Sequence, residues 1–155
     1  MEESRNYNIE RLAGDGNLEE LKHLLGSDFT QEEIDIALSN ALAYSKTEMA
    51  EFLISIGADI SWGNFDGVYY AVHNDELEGL KYSISKGVDI NERQGMILNT
   101  SIMTATNTKS TNLVKWILDN GANPNLLSKD SKDIVDRYGT EELKELIKNA
   151  TQQWL

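Results

Sequence analysis

Side chains able to do covalent or metal chemistry are scarce in this sequence. Cysteine is absent, and His23 and His73 are the two histidines. A disulfide framework, a thiolate zinc site and a cysteine nucleophile are therefore excluded, and a histidine-based metal centre lacks ligands. Carboxylates alone could hold Ca²⁺ or Mg²⁺. The acidic pairs Glu32-Glu33 and Glu141-Glu142 stand instead near expected helix starts, where negative charge complements the helix dipole. Gly14-Asp15-Gly16 comes nearest to a phosphate-cradling loop, but with no strand before it and no phosphate-gripping lysine after it, it reads as a tight turn. His73 follows Tyr69 and Tyr70 by one helical turn. Without a recognisable nucleophile or carboxylate partner, its reading is a surface contact or a turn hydrogen bond rather than a general base. No catalytic residue, cofactor or metal is predicted. The chain does concentrate aromatic surface: SWGNFDGVYY, residues 61–70, carries Trp62, Phe65, Tyr69 and Tyr70, and aromatic side chains dominate the hot spots of protein interfaces.

These aromatic residues lie in an acidic chain. Its 155 residues suffice for one domain with a sizeable core, and 40% hydrophobic with 26% charged residues is ordinary for a globular protein. The balance of 26 Asp and Glu against 14 Lys and Arg leaves a formal charge of −12. Such a field repels nucleic acid and anionic membranes and speeds encounter with a basic protein, although it also serves plain solubility. The opening MEESRNYNIE has neither a basic n-region nor an apolar h-region, and no apolar run approaches about 18 residues. The expectation is a cytoplasmic chain.

The elements that must position the aromatic group are marked by repetition. TEMAEFLISIGADI (47–60), LEGLKYSISKGVDIN (77–91) and TNLVKWILDNGANPN (111–125) end alike, and Gly57, Gly87 and Gly121 are spaced by 30 and then 34 residues. Intervals in this range indicate helix pairs stacked as a solenoid. Before each glycine stand Ala50, Phe52, Leu53 and Ile54, then Leu80, Tyr82, Ser83 and Ile84, then Val114, Trp116, Ile117 and Leu118, each set largely one apolar helix face. Leu53, Ile117 and Leu118 are placed in the core between repeats, and Tyr82 and Trp116 are read as packing residues. The glycine itself suits a left-handed helix stop, where a side chain would be strained. A partner helix must precede each of these, and ALSNALAYS (37–45), GVYYAVHN (67–74) and ILNTSIMTATN (97–107) fill that place. Their small residues permit close helix approach, and Asp66 and Thr100 are candidate N-caps.

Taken together these stretches resemble the ankyrin repeat. TSIMTAT (100–106) places Thr100, Ile102 and Ala105 at the Thr, Leu and first Ala positions of that family's Thr-Pro-Leu-His-x-Ala-Ala pattern. DGVYYAV supplies Asp66, Val68 and Ala71, and GADIS, GVDIN and GANPN match the helix-to-finger junction. The resemblance covers nearly the whole chain. It implies one all-α ankyrin-like solenoid domain, 1–155, of about five units: an N-terminal cap at 8–28, repeats at about 34–61, 66–91 and 99–125, and a C-terminal cap at 131–150. Leu18, Leu21, Leu24 and Leu25 would form the apolar side of the first cap, and Leu143, Leu146 and Ile147 that of the last. Two departures stand out. No repeat has the Pro-Leu-His triple, and the link after Gly57 aligns about three residues short, so a stunted finger is expected there.

A fold of this kind presents its inner helices and fingers to partners. The residues implied at such a surface are Ala43, Tyr44, His73, Asn74, Asn107 and Thr108 on the helices, with Trp62, Asn64, Phe65, Glu92, Arg93 and Gln94 on the fingers. Tyr69 and Tyr70 belong to the same central group, although Tyr69 and Phe65 suit packing between repeats equally well. The resulting expectation is a non-enzymatic protein-protein interaction module with a basic protein partner and neither nucleic acid nor membrane. Compact acidic ankyrin-like proteins resemble the immunity proteins of bacterial toxin systems, which implies an inhibitor of a basic toxin or nuclease. A general scaffold or regulatory adaptor is the alternative. The oligomeric state is left open.

Overall fold

The computed structural model describes residues 4–154, which form ten α-helices and no strand. The chain divides into two compact units, one through Lys86 and one from Gly87 onward.

The first unit contains three helix hairpins: α1 (Arg5–Asp15) with α2 (Leu18–Leu25), α3 (Gln31–Ala43) with α4 (Thr47–Ser55), and α5 (Trp62–His73) with α6 (Leu77–Ser85). The first helices of the hairpins lie side by side, α1 against α3 and α3 against α5, while α4 packs on α6. Between them are buried Ile9, Leu21, Ile34, Leu38, Leu42, Leu53, Val68 and Leu80. Small residues set the spacing, as their density in the sequence implied. A Cβ on Gly67 would lie 2.7 Å from the Cα of Ser39, and one on Gly79 would run into the carbonyl oxygen of Leu42. Helix α3 starts well before the segment read as its inner helix. Thr30 closes a capping box, its Oγ1 accepting from the Glu33 N–H at 3.1 Å while Glu33 Oε1 accepts from the Thr30 N–H at 2.9 Å.

In the second unit α7 (Glu92–Thr108) pairs with α8 (Asn112–Asp119), a short 3₁₀ turn spans Pro124–Leu126, and α9 (Lys129–Tyr138) precedes α10 (Glu141–Gln153). Ile97, Leu98, Ile102, Leu113, Val114, Ile117, Val135 and Leu143 are buried. Leu118, expected in the core, is half-buried: it lies at the edge of the α8 face and lines a shallow depression with Leu146 and Trp154. The helix stops are as read, with φ of 105°, 99° and 100° at Gly57, Gly87 and Gly121.

The fingers differ from expectation. After both Gly57 and Gly87 the chain makes a left-handed turn, through Gly63, Asn64 and Phe65 in one case and Arg93, Gln94 and Gly95 in the other. The two links are equal in length, so the link after Gly57 is no shorter than the one after Gly87. The longer interval arises in the helix, since α7 has 17 residues against 12 in α5. For the same reason Thr100 is not an N-cap: it lies inside α7, and its carbonyl accepts from the Thr104 hydroxyl at 3.3 Å.

Side chains at the start of a hairpin satisfy the backbone of the turn that ends it. In the first unit Gln31 Nε2 donates to the Gly57 carbonyl at 2.8 Å, and Asp35 Oδ1 accepts from the Asp59 N–H at 2.7 Å. In the second unit Asn91 does both jobs alone, donating to the Gly121 carbonyl at 3.1 Å and accepting from the Asn123 N–H at 2.8 Å. Asn99 Nδ2 donates to the carbonyls of Gly95 and Leu126, both at 2.9 Å, while its Oδ1 accepts from the Ser128 N–H at 2.8 Å.

Two predictions follow from this packing. Ile117→Ala, at a fully buried position, lowers unfolding free energy by about 2–5 kcal/mol, and hydrogen exchange loosens in the second unit more than in the first. At the other end, the Arg5 side chain hydrogen-bonded to Glu33, followed by the Thr30 N–H, holds the Glu33 carboxyl below the ordinary glutamate value of 4.5. A depressed folded value means that the contribution is complete above pH 4.5 and is lost as pH falls through the folded value. Urea denaturation of Glu33→Gln shows a shallower loss of stability on acidification than the parent; equal slopes would remove Glu33 as a source.

Candidate functional site

The exposed side of α1, α3 and α5 forms a groove in the first unit. One end, about 410 Å³, is bounded by Tyr7, Glu10, Gly14, Asn40 and Tyr44. The other, about 330 Å³, shares Glu10, Asn40 and Tyr44 and continues to Asp66, Tyr70 and Asn74. The helical period explains the set: Tyr7, Glu10 and Gly14 repeat at three and four residues on α1, and Asn40 and Tyr44 are four apart at the end of α3. Gly14 makes room for an aromatic ring, since a Cβ there would meet Tyr44 Cδ2 at 3.1 Å.

Tyr44 is 50% exposed and Tyr70 44%, a high value for aromatic side chains beside a groove. Tyr70 belongs to a cluster on α5. The His73 ring stacks on Tyr69 with centroids 5.8 Å apart, and Tyr70 meets Tyr69 edge-on at 5.1 Å. His73 is thereby part of the exposed aromatic cluster on α5.

The groove's polar lining is rich in acceptors. Asn40 Nδ2 donates to the Ile36 carbonyl and Asn74 Nδ2 to the Ala43 carbonyl, both at 3.0 Å, which fixes each amide and leaves its oxygen available. Among the described residues, the Glu10 and Asp66 carboxylates have no ion-pair partner, whereas Asp15 has Arg11 at 3.9 Å. The lining thus offers hydrogen-bond acceptors beside aromatic faces.

The predicted contact residues divide accordingly. Tyr44, Tyr70 and Asn74 line the groove, and Tyr69 and His73 are exposed beside it. Ala43 is largely buried yet borders the same groove. Trp62 and Phe65 are half-buried, so the left-handed turn does not present the broad aromatic patch foreseen there, while Asn64 is exposed. Glu92 is half-buried, and Arg93, Gln94, Asn107 and Thr108 are exposed in the second unit. There Asn107 borders a separate depression of about 270 Å³ with Met103 and Tyr138. Tyr7, Glu10 and Asn40 were missed in the sequence; the three- and four-residue spacing of polar side chains on α1 was the available signal.

Elsewhere, the Tyr82 hydroxyl donates to Glu51, and Lys86 Nζ lies 2.9 Å from the same carboxylate. Tyr82, with Lys86 over its ring at 5.4 Å, is thereby tied to the α4 surface. Its phenol is held well above the usual range by burial and then by Glu51. No described helix is long and apolar enough to cross a membrane.

No protein-family model matches the chain. It is similar to Ankyrin repeat and KH domain-containing protein mask-1 of Caenorhabditis elegans, 24% identical over 151 residues, which covers 93% of this chain and 6% of that protein. With the all-helical structure, this similarity agrees with ankyrin-like helical repeats.

If the groove tyrosines are recognition rather than core residues, Tyr44→Ala and Tyr70→Ala each change unfolding free energy by no more than about 0.5 kcal/mol. Leu42→Ala, at a 1% exposed site on the opposite side of α3, costs about 2–5 kcal/mol. Urea melts of the three variants check the contrast.

Proposed function

We propose that this chain is a non-enzymatic protein-binding module, an ankyrin-like helix-pair solenoid of about five units that engages its partner along the exposed side of α1, α3 and α5. The observation that carries the reading is the groove itself, bordered by exposed Tyr44 and Tyr70 and lined by carboxylate and amide oxygens. Tyrosine offers large contact area with few rotatable bonds and a polar tip, a combination suited to partners that must dissociate in water. The similarity to an ankyrin-repeat protein supports a protein as the partner. The charge of −12 favours a basic one, since opposite charge steers encounter. An inhibitor of a basic toxin or nuclease, in the manner of an immunity protein, combines these properties in a cytoplasmic setting. The second reading, a scaffold or adaptor, draws on the fact that the matched segment is 6% of a much longer protein.

The test is kinetic. A partner recovered with the full chain from its native cell is immobilised, and association and dissociation are followed at two salt concentrations. Because exposed charges are screened over about 8 Å at physiological ionic strength, added salt slows association far more than it hastens dissociation. Tyr70→Ala does the reverse, raising the dissociation rate by a factor corresponding to about 2 kcal/mol. Association indifferent to salt removes the basic partner. Unchanged dissociation in Tyr70→Ala, with parental helix content, removes the groove.

A further inference from the structure

The groove's chemistry specifies more than a protein partner. We infer that its α3–α5 end is a subsite for one arginine side chain of the partner, a reading that rests on the protein-binding function above. Four acceptor-bearing side chains line this end, Glu10 and Asp66 with carboxylates and Asn40 and Asn74 with amides. The amide nitrogens donate to the Ile36 and Ala43 carbonyls, which leaves the amide oxygens as acceptors. Both carboxylates lack an ion-pair partner among the described residues, although five other acidic side chains in the same unit have one. Asp15 has already engaged Arg11, the cation at the far end of the groove. An anionic ligand would face two carboxylates with no free cation beside them, so charge complementarity selects a cation.

The choice of cation follows from the walls. The rings of Tyr44 and Tyr70 stand half-exposed at the rim, and a guanidinium stacks on aromatic faces while its five N–H groups remain in one plane for carboxylate and amide oxygens. An ammonium offers three donors around a point and keeps its water more tenaciously. Volume agrees: about 330 Å³ is at the small end of ligand pockets, which run from about 300 to 1,000 Å³, and suits a side chain with its flanking backbone.

The probes are blocked pentapeptides of glycine and serine with arginine, lysine or citrulline at the centre, titrated into the ¹⁵N-labelled full chain and followed by amide chemical shifts. Citrulline keeps the planar shape without the charge. The arginine peptide is expected to move the amides of Asn40, Tyr44, Asp66, Tyr70 and Asn74 and to bind about tenfold more tightly than citrulline, the scale of a charge-assisted hydrogen bond. The double variant Glu10→Gln/Asp66→Asn loses that tenfold difference while keeping the parental melting temperature. Equal binding of the citrulline peptide, or shifts centred outside the groove, overturns the subsite. Equal binding of the lysine peptide overturns the assignment to arginine. If the double variant melts lower than the parent, Glu10→Gln alone, at an exposed side chain, is read in its place: it narrows the difference between the arginine and citrulline peptides, and an unchanged difference overturns the proposal. If the peptides fail while Tyr70→Ala still speeds dissociation of the captured partner, the subsite is wrong and the protein-binding reading stands. Failure of both experiments removes the reading itself.

Discussion

A helix hairpin ends in a turn whose backbone groups the helical ladder does not satisfy, and here they are met by side chains from the start of the same hairpin's first helix. Gln31 and Asp35 reach the Gly57–Asp59 backbone, and Asn91 reaches Gly121 and Asn123. Each such bond fixes where the second helix of a hairpin ends against its first. Apolar burial holds the hairpins together, and between hairpins the register is marked by Asn74, whose Nδ2 donates to the Ala43 carbonyl at 3.0 Å. Ser45 plays the same part from a turn, its hydroxyl accepting from the Gly79 N–H at 2.8 Å, at the point where Gly79 leaves room for nothing larger than hydrogen.

That register produces the groove. With α1, α3 and α5 side by side, residues at the solvent ends of three separate helices come to one surface, and helix rigidity keeps them there. Recognition built on helices is positioned by backbone hydrogen bonds rather than by loop order. The same packing explains which aromatic residues are left outside. Tyr44 and Tyr70 project from the helix row, whereas Trp62 and Phe65 are turned partly inward by the left-handed link.

Much of the helical structure was legible in the sequence. The glycine stops were readable because a positive φ is nearly a glycine property, and of the positions read on α4, α6 and α8 the buried ones are Ala50, Leu53, Leu80, Ser83, Val114 and Ile117, while Met49 and Leu113 were not read. The turns at 63–65 and 93–95 were not, because Phe65, Arg93 and Gln94 adopt a conformation that propensity reserves for other residues. Nor was the start of α7. Threonine serves equally as a cap and, through a hydroxyl bonded back to an earlier carbonyl, as an interior residue, so Thr100 and Thr104 carried no boundary signal. Of the groove, Tyr44, Tyr70 and Asn74 were anticipated from register. Glu10 and Asn40 were not, since a site shared by three helices is apparent only when all three are aligned.

Asn99 gives the second unit an unequal dependence on chemical ageing. Its amide joins three backbone groups, two through the nitrogen and one through the oxygen. Slow hydrolysis to a carboxylate would keep the size and shape of the side chain yet exchange the donor for a negatively charged acceptor, set against the carbonyl oxygens of Gly95 and Leu126. A mass change of a single dalton would thus convert an attachment into a repulsion.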